Sequence, residues 1–225
     1  MLYELDKIDI RNCSLYEWQH TLKPENELIV QASKTDGSDG ITNISIGMCF
    51  PYVHQRGNNL ECQIGIHDKL VLCSVRNSTD SYRRGNNKIN RKTILQELEK
   101  NGIYNTEICN DKYYKCLPEY KYIISPEGNG IDCHRHYEAL LAGCIPIVEY
   151  NPIIVRKYGN VPILYTHDYT DVTVENLNYI YEKMLHNKFD FSRLLMSYQT
   201  EEETKLIKHR GNLWCERLAN KKWYI

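Results

Sequence analysis

The sequence predicts an α/β fold on a parallel sheet, and three observations predict it. From about residue 67, short β-rich runs alternate with stretches whose apolar residues recur at helical spacing, the pattern of βαβ units. Glycines stand just past two of the helical stretches, at Gly102 and Gly143, where a left-handed residue ends a helix. A glycine-bearing loop, Ser125 to Gly130, joins an apolar run to a helical one. It lies at the carboxyl end of a strand, where ligands of such sheets bind.

Residues 1 to 66 form a short N-terminal segment. Within it, Glu27 to Ala32 (ELIVQA) reads as a buried strand and Thr35 to Gly40 (TDGSDG) as turn chemistry. Ile41 to Met48 (ITNISIGM) reads as a second strand, and Pro51 to Asn59 as a polar linker. Residues 67 to 225 carry the regular alternation. Lys69 to Val75 is a β-rich run, and Arg91 to Lys100 sets Ile94, Leu95 and Leu98 on one helix face. Tyr104 to Cys109 and Tyr120 to Ser125 are the next strands. A helix follows over about Cys133 to Ala142, then a strand at Cys144 to Glu149, a short helix near Pro152 to Tyr158 and a strand at Val161 to Tyr165. Val174 to Leu185 is a helix with Leu177, Ile180, Tyr181 and Met184 on one side. The tail from about Phe191 to Trp223 is expected to be helical throughout.

A formal net charge of -1 supplies no broad basic field, so no nucleic-acid partner is expected. The basic pairs Arg83-Arg84 and Lys221-Lys222 read as solvated surface. The nine cysteines include no C-x-x-C pair, and Cys73 and Cys144 lie inside apolar runs. They read as small buried hydrophobes of a reducing compartment. The opening MLYELDKIDIRN carries charges and no apolar signal core. No run reaches the roughly 18 to 20 apolar residues of a membrane span. The expectation is a cytoplasmic protein without a membrane span.

The chemistry concentrates in Ser125-Pro-Glu-Gly-Asn-Gly-Ile-Asp-Cys-His-Arg-His-Tyr-Glu138, continued as ALLAGCIPIV to Val148. Gly128 and Gly130 allow a sharp turn and a close approach to a ligand. Asp132 is placed to cap the helix, whose unpaired N–H groups and positive dipole end suit a diphosphate. His134 and Glu138 are four residues apart and share a helix face. Tyr137, Leu140 and Leu141 are left to face the sheet. On these residues alone, a structural turn and a phosphate loop fit equally.

The segment also resembles the donor-binding motif of exostosin-like and related GT-B glycosyltransferases, S-P-x-G-x-G-x-D-x-H-R-x-x-E-A-L-x-x-G-x-I-P-I-V. The match is nearly complete from Ser125 to Val148 and weaker from about Leu70 to Leu185. The resemblance implies a Rossmann-like parallel sheet with helices on both faces, GT-B-like, with a short or truncated N-terminal half. It implies a donor site of Ser125, Gly128, Asn129, Gly130, Asp132, His134, Arg135 and Glu138. In that site Glu138 holds the nucleotide ribose, Gly128 to Gly130 lie beside the diphosphate, and His134 and Arg135 are the polar pair at the helix start. Arg76 and Arg91 fall near the family's basic residues. The implied activity is transfer of a sugar from a UDP- or GDP-sugar to a glycan, lipid or protein acceptor, with no metal and no other cofactor. No catalytic residue is assigned. Because the first 66 residues are a remnant of an acceptor half, the alternative is a non-catalytic nucleotide-sugar binder, or a chain completed by a partner.

Rival readings of single motifs are weaker. Cys133, His134 and His136 lack the paired spacing of structural zinc, and positions 134 and 136 diverge on a helix. The carboxylates Asp36 and Asp39 of TDGSDG suit a turn better than a metal or a general base. GNGIDC read as a dinucleotide fingerprint has Cys133 where the third glycine belongs. Arg76 to Thr79 and His167-Asp168 read as strand-end loops that are solvent-facing or cleft-lining. Trp214 and Trp223 read as packing anchors.

Overall fold

The structure, a computed structural model, describes residues 2–34, 43–56 and 64–225. The TDGSDG loop and residues 57–59 lie outside them. At the centre is a four-stranded parallel sheet of β2 (Lys69–Leu72), β3 (Tyr120–Ile124), β4 (Ile145–Glu149) and β5 (Leu164–Thr166), in that spatial order. Val71 pairs with Tyr122, Ile123 with Pro146 and Val148 with Tyr165. Every residue of β4 is buried, which explains its unbroken apolar text IPIV. Helices flank the sheet, giving a Rossmann-like α/β arrangement.

Local chemistry sets the helix bounds. In α4 (Arg91–Lys100), Asn90 and Thr93 form a reciprocal cap, and Ile94 and Leu98 are buried. In α7 (Pro152–Tyr158), the Asn151 side chain accepts from the Ile153 N–H, and Pro152 opens the first turn. Gly143, at φ +78°, stops α6 (His134–Leu141) two residues before the chain enters β4. The remaining elements beside the sheet are α3 (Ser81–Arg84), α5 (Asn110–Cys116) and α8 (Val174–Met184).

The N-terminal residues pack into the same apolar core as the sheet. Ile41 and Thr42 lie outside the described residues, and the described parts of the two expected strands form no ladder but meet at an isolated parallel bridge, Val30 to Met48. Their bonds include Met48 N–H to the Ile29 carbonyl (2.7 Å) and Ala32 N–H to the Ile46 carbonyl (2.8 Å). A Cβ on Gly47 would come within 2.4 Å of the Ile29 carbonyl oxygen, so glycine is required at this crossing. In α1 (Leu15–Gln19), the Trp18 indole donates to the Leu140 carbonyl at 2.7 Å and stacks on Phe191. The strand β1 (Cys13–Ser14) pairs antiparallel with β6 (Lys188–Phe189).

Three expectations are corrected. Pro51 to Arg56 belongs to a helix, α2 (Phe50–Arg56), rather than a polar linker, because Phe50, Tyr52 and Val53 are buried. Tyr104 to Cys109 forms no strand: the Thr106 N–H reaches the Cys73 carbonyl, but no ladder extends from it. The tail is not helical throughout. It passes through 3-10 turns at Ser192–Leu194 and Met196–Tyr198 before α9 (Glu201–Ala219). Among the described residues no helix is long and apolar enough to cross a membrane.

Candidate functional site

A cleft of about 900 Å³ opens where the loops after β2 and β3 diverge, with α5 and the start of α6 as its other walls. Nine of the ten residues singled out in the sequence line it: Arg76, Arg91, Gly128, Asn129, Gly130, Asp132, His134, Arg135 and Glu138. The tenth, Ser125, does not. It is fully buried, and its hydroxyl bonds the Nδ1 of buried His136 at 2.6 Å. Ser125 therefore fixes the base of the loop and does not line the cleft. His136 belongs to the same buried pair, and its other ring nitrogen contacts the Ile131 carbonyl.

The loop Ser125–Gly130 rests on a buried ionic network. Arg84 bonds Asp80 (3.0 Å), Glu149 (2.8 Å) and Glu127 (3.4 Å) and donates to the Glu127 carbonyl. Arg83 adds a 2.6 Å pair to Glu127. Glu149 also accepts from the Glu127 N–H and the Tyr169 hydroxyl. The reading of Arg83-Arg84 as solvated surface is corrected for Arg84, which is 5% exposed, and holds for Arg83, which is exposed. Three carboxylates and two arginines share this volume, with Arg91 beside them, and such charges survive burial only when matched and hydrogen-bonded.

Arg91 is tied into the same loop. Its guanidinium donates to the carbonyls of Glu127 (2.8 Å), Pro126 (3.0 Å) and Arg76 (3.1 Å). Most of its donors already hold backbone, while the residue still lines the cleft. Gly128 makes room for it, because a Cβ there would lie 3.0 Å from an Arg91 Nη atom. Arg76 is the opposite case: it is exposed, and its guanidinium has no partner among the described residues.

Asp132 does not cap α6, which corrects a second expectation. The N-cap is Cys133, without a side-chain cap bond. The Asp132 carboxylate instead accepts from Ile46 N–H (2.9 Å) and Tyr158 hydroxyl (2.9 Å) and pairs with Lys157 at 3.1 Å. It ties the N-terminal segment to α7 beneath the cleft. No side chain caps the helix start, and the His136 N–H turns back to the Cys133 carbonyl, which leaves the N–H groups of His134 and Arg135 to meet a ligand. Cys133, His134 and His136 turn to different partners: the Pro126 carbonyl, the Gly47 carbonyl and Ser125. They do not converge as metal ligands.

The remaining polar groups of α6 face the cleft wall. His134 Nδ1 lies 2.7 Å from the Gly47 carbonyl; a carbonyl only accepts, so Nδ1 carries the proton and Nε2 is left as an acceptor. Burial lowers its pKa, so the ring is neutral at pH 7. Arg135 Nε donates to the Tyr113 hydroxyl at 2.9 Å and its guanidinium lies over the Tyr113 ring. Glu138 is 4% exposed and accepts from the Cys49 N–H at 3.2 Å. Burial pushes its pKa up to about 7, opposed by Arg135, the Cys49 N–H and the Tyr114 hydroxyl.

Sequence reasoning missed the second wall. Asn105 mimics a strand partner for Val75, accepting from its N–H at 2.8 Å and donating to its carbonyl at 3.0 Å. It thereby fixes the chain leading to Arg76. Tyr113 and Tyr114 bring the cleft its aromatic surface, and their sequence signal, a Tyr-Tyr pair in a short polar helix, is faint. His167 and Asp168 do not line the cleft; Asp168 folds back on Thr170. No family model matches the chain, and no curated protein matches it.

Proposed function

We propose that this cleft binds a nucleoside-diphosphate sugar and that the chain is a metal-independent glycosyltransferase of GT-B-like build. One observation carries the reading. An arginine with no partner among the described residues (Arg76), a tyrosine-tethered arginine (Arg135) and an uncapped helix start surround a single cleft, with a buried carboxylate, Glu138, one turn farther along the helix. A diphosphate needs convergent cations and N–H donors, and the same set stabilises the charge that develops on a leaving nucleoside diphosphate. The ribose needs an acceptor just behind, which Glu138 supplies once it exchanges the Cys49 N–H for a hydroxyl. The aromatic end at Tyr113 and Tyr114 suits a nucleobase. UDP and GDP are the nucleotides to test, and the acceptor is a glycan, lipid or protein hydroxyl.

A second reading, a nucleotide-sugar binder without transferase activity or a chain completed by a partner, is favoured by one observation. Among the described residues, the first 56 build no sheet of their own beyond isolated bridges and the two-residue β1. The experiment that separates them measures melting and turnover together. A ligand at one hundred times its Kd stabilises by about 2.7 kcal/mol, several degrees in Tm for a chain this long. A Tm shift with UDP- or GDP-sugars plus sugar transfer or donor hydrolysis supports the enzyme. A shift without turnover supports the binder. No shift with either nucleotide at millimolar concentration removes both.

A further inference from the structure

We infer that the carboxyl-terminal part of α9 lays the protein on an anionic membrane surface. This rests on a region remote in sequence from the cleft motif and is independent of the sugar-donor reading. The amino-terminal part of α9 is an ordinary docked helix, with Ile207, Gly211 and Cys215 buried in the body of the protein. Farther along, three large apolar side chains face solvent: Leu213 is 46% exposed, Trp214 40% and Leu218 56%. Burying them would remove from water the apolar surface that the described residues leave exposed.

Cations are interleaved with these residues. Residues 208–222 hold five lysines and arginines against a single acid, Glu216. Arg217 is three residues from Trp214 and four from Leu213, so all three occupy one neighbourhood of the helix surface. Its guanidinium lies 5.2 Å from the Trp214 ring centre. Lys221 and Lys222 follow the helix end, Lys222 being 3.8 Å from Glu216. Apolar anchors flanked by long cationic side chains match a surface whose charge is negative and whose interior is hydrocarbon. Leucines enter the acyl boundary, tryptophan sits at headgroup level, and arginine and lysine reach back to phosphate. A nucleic acid would answer the charges but leave the leucines in water, which is why lipid is the better fit. The helix lies in the interface and does not span it.

The test is co-sedimentation of the intact chain with vesicles of phosphatidylcholine alone and of phosphatidylcholine with 30% phosphatidylglycerol. Binding to the anionic vesicles, weakened by raised salt, is expected; neutral vesicles should bind far less. Arg217→Glu should weaken anionic-vesicle binding about twenty-five-fold, two charge units at about five-fold each. Leu218→Ser should weaken it as well, with Tm of both variants confirming that the fold is intact. Because Leu218 is more than half exposed, its replacement leaves the core untouched. No sedimentation with anionic vesicles overturns the proposal. So does vesicle binding that Arg217→Glu and Leu218→Ser leave unchanged. Binding of a single-stranded RNA probe that falls with Arg217→Glu but not with Leu218→Ser, without matching vesicle binding, assigns the surface to a polyanion and overturns it equally.

Discussion

The floor of the cleft and its rim lie on either side of one opening and differ in almost every bond. The floor, Ser125 to Gly130, is held from below by Arg84, Arg91, Glu127 and Glu149, most of them buried and each with several partners. The rim, Arg76 to Ser78, is exposed, and its side chains have no hydrogen bond among the described residues. The difference teaches how a small site divides its work. If the cleft takes a diphosphate, as proposed, the floor fixes the loop beside it, because Arg84 and Arg91 already hold backbone and carboxylates there. The exposed rim then supplies charge without the burial penalty in the empty state.

The largest effect that would break this contrast is expected at Arg84. In Arg84→Met the aliphatic volume is kept, but Asp80, Glu127 and Glu149 lose their shared cation. Removing one member of a buried ionic set costs about 3 to 5 kcal/mol, read as a lower urea midpoint. A loss below about 1 kcal/mol would mean that the floor is not held by its charges.

Glu138 gives the next effect, and its sign is opposite. Burial raises its pKa to about 7 against an ordinary 4.5. Below pH 4.5 the carboxyl is protonated in both states and costs nothing. Between 4.5 and 7 the unfolded chain releases the proton while the folded chain keeps it, so stability falls as pH rises, by about 3 kcal/mol in full. Glu138→Gln removes this slope. The variant should match the parent near pH 4.5 and exceed it at pH 8, in paired denaturation curves. Nucleotide affinity should move the other way, rising in the parent through pH 7 as the carboxylate that accepts ribose hydroxyls forms, and staying flat and weak in Glu138→Gln. Parallel stability curves for the two proteins would show that Glu138 is not strained by burial.

What was legible in the sequence follows from range. Arg91–Lys100 was readable to the residue and the helix near Pro152 to Tyr158 closely, because apolar spacing and a terminating glycine are local signals. Seven of the eight motif residues between Ser125 and Glu138 line one cleft because a strand–loop–helix unit places its own residues together. The network under the loop was invisible, since Arg84 meets Glu127 and Glu149 across 43 and 65 positions. In sequence, an Arg-Arg pair in a polar stretch looks like surface. Asp132 was misread for a related reason. Its position is right for a cap, but Lys157, Tyr158 and Ile46 compete for the carboxylate, and a buried lysine outbids a helix N–H. Pro51 to Arg56 was hidden by its polar residues, although Phe50, Tyr52 and Val53 give the helix a buried side.

The smallest expected effect sharpens the comparison most, because it should appear in binding and not in folding. Arg76→Ala removes an exposed side chain with no partner among the described residues, so stability should stay within about 0.5 kcal/mol of the parent. If Arg76 closes on the diphosphate, it forms bonds between two charged groups, worth about 1.5 to 3 kcal/mol. UDP or GDP affinity should then fall about ten- to hundred-fold by titration calorimetry. The informative control is the nucleoside. Uridine and guanosine lack the diphosphate, so their weaker binding should be the same in parent and variant. A loss shared by nucleoside and nucleotide would move Arg76 to the base or ribose. A loss in neither would leave the floor, with Arg135 and the α6 N–H groups, as the whole anion site, and the rim would carry no share of the ligand.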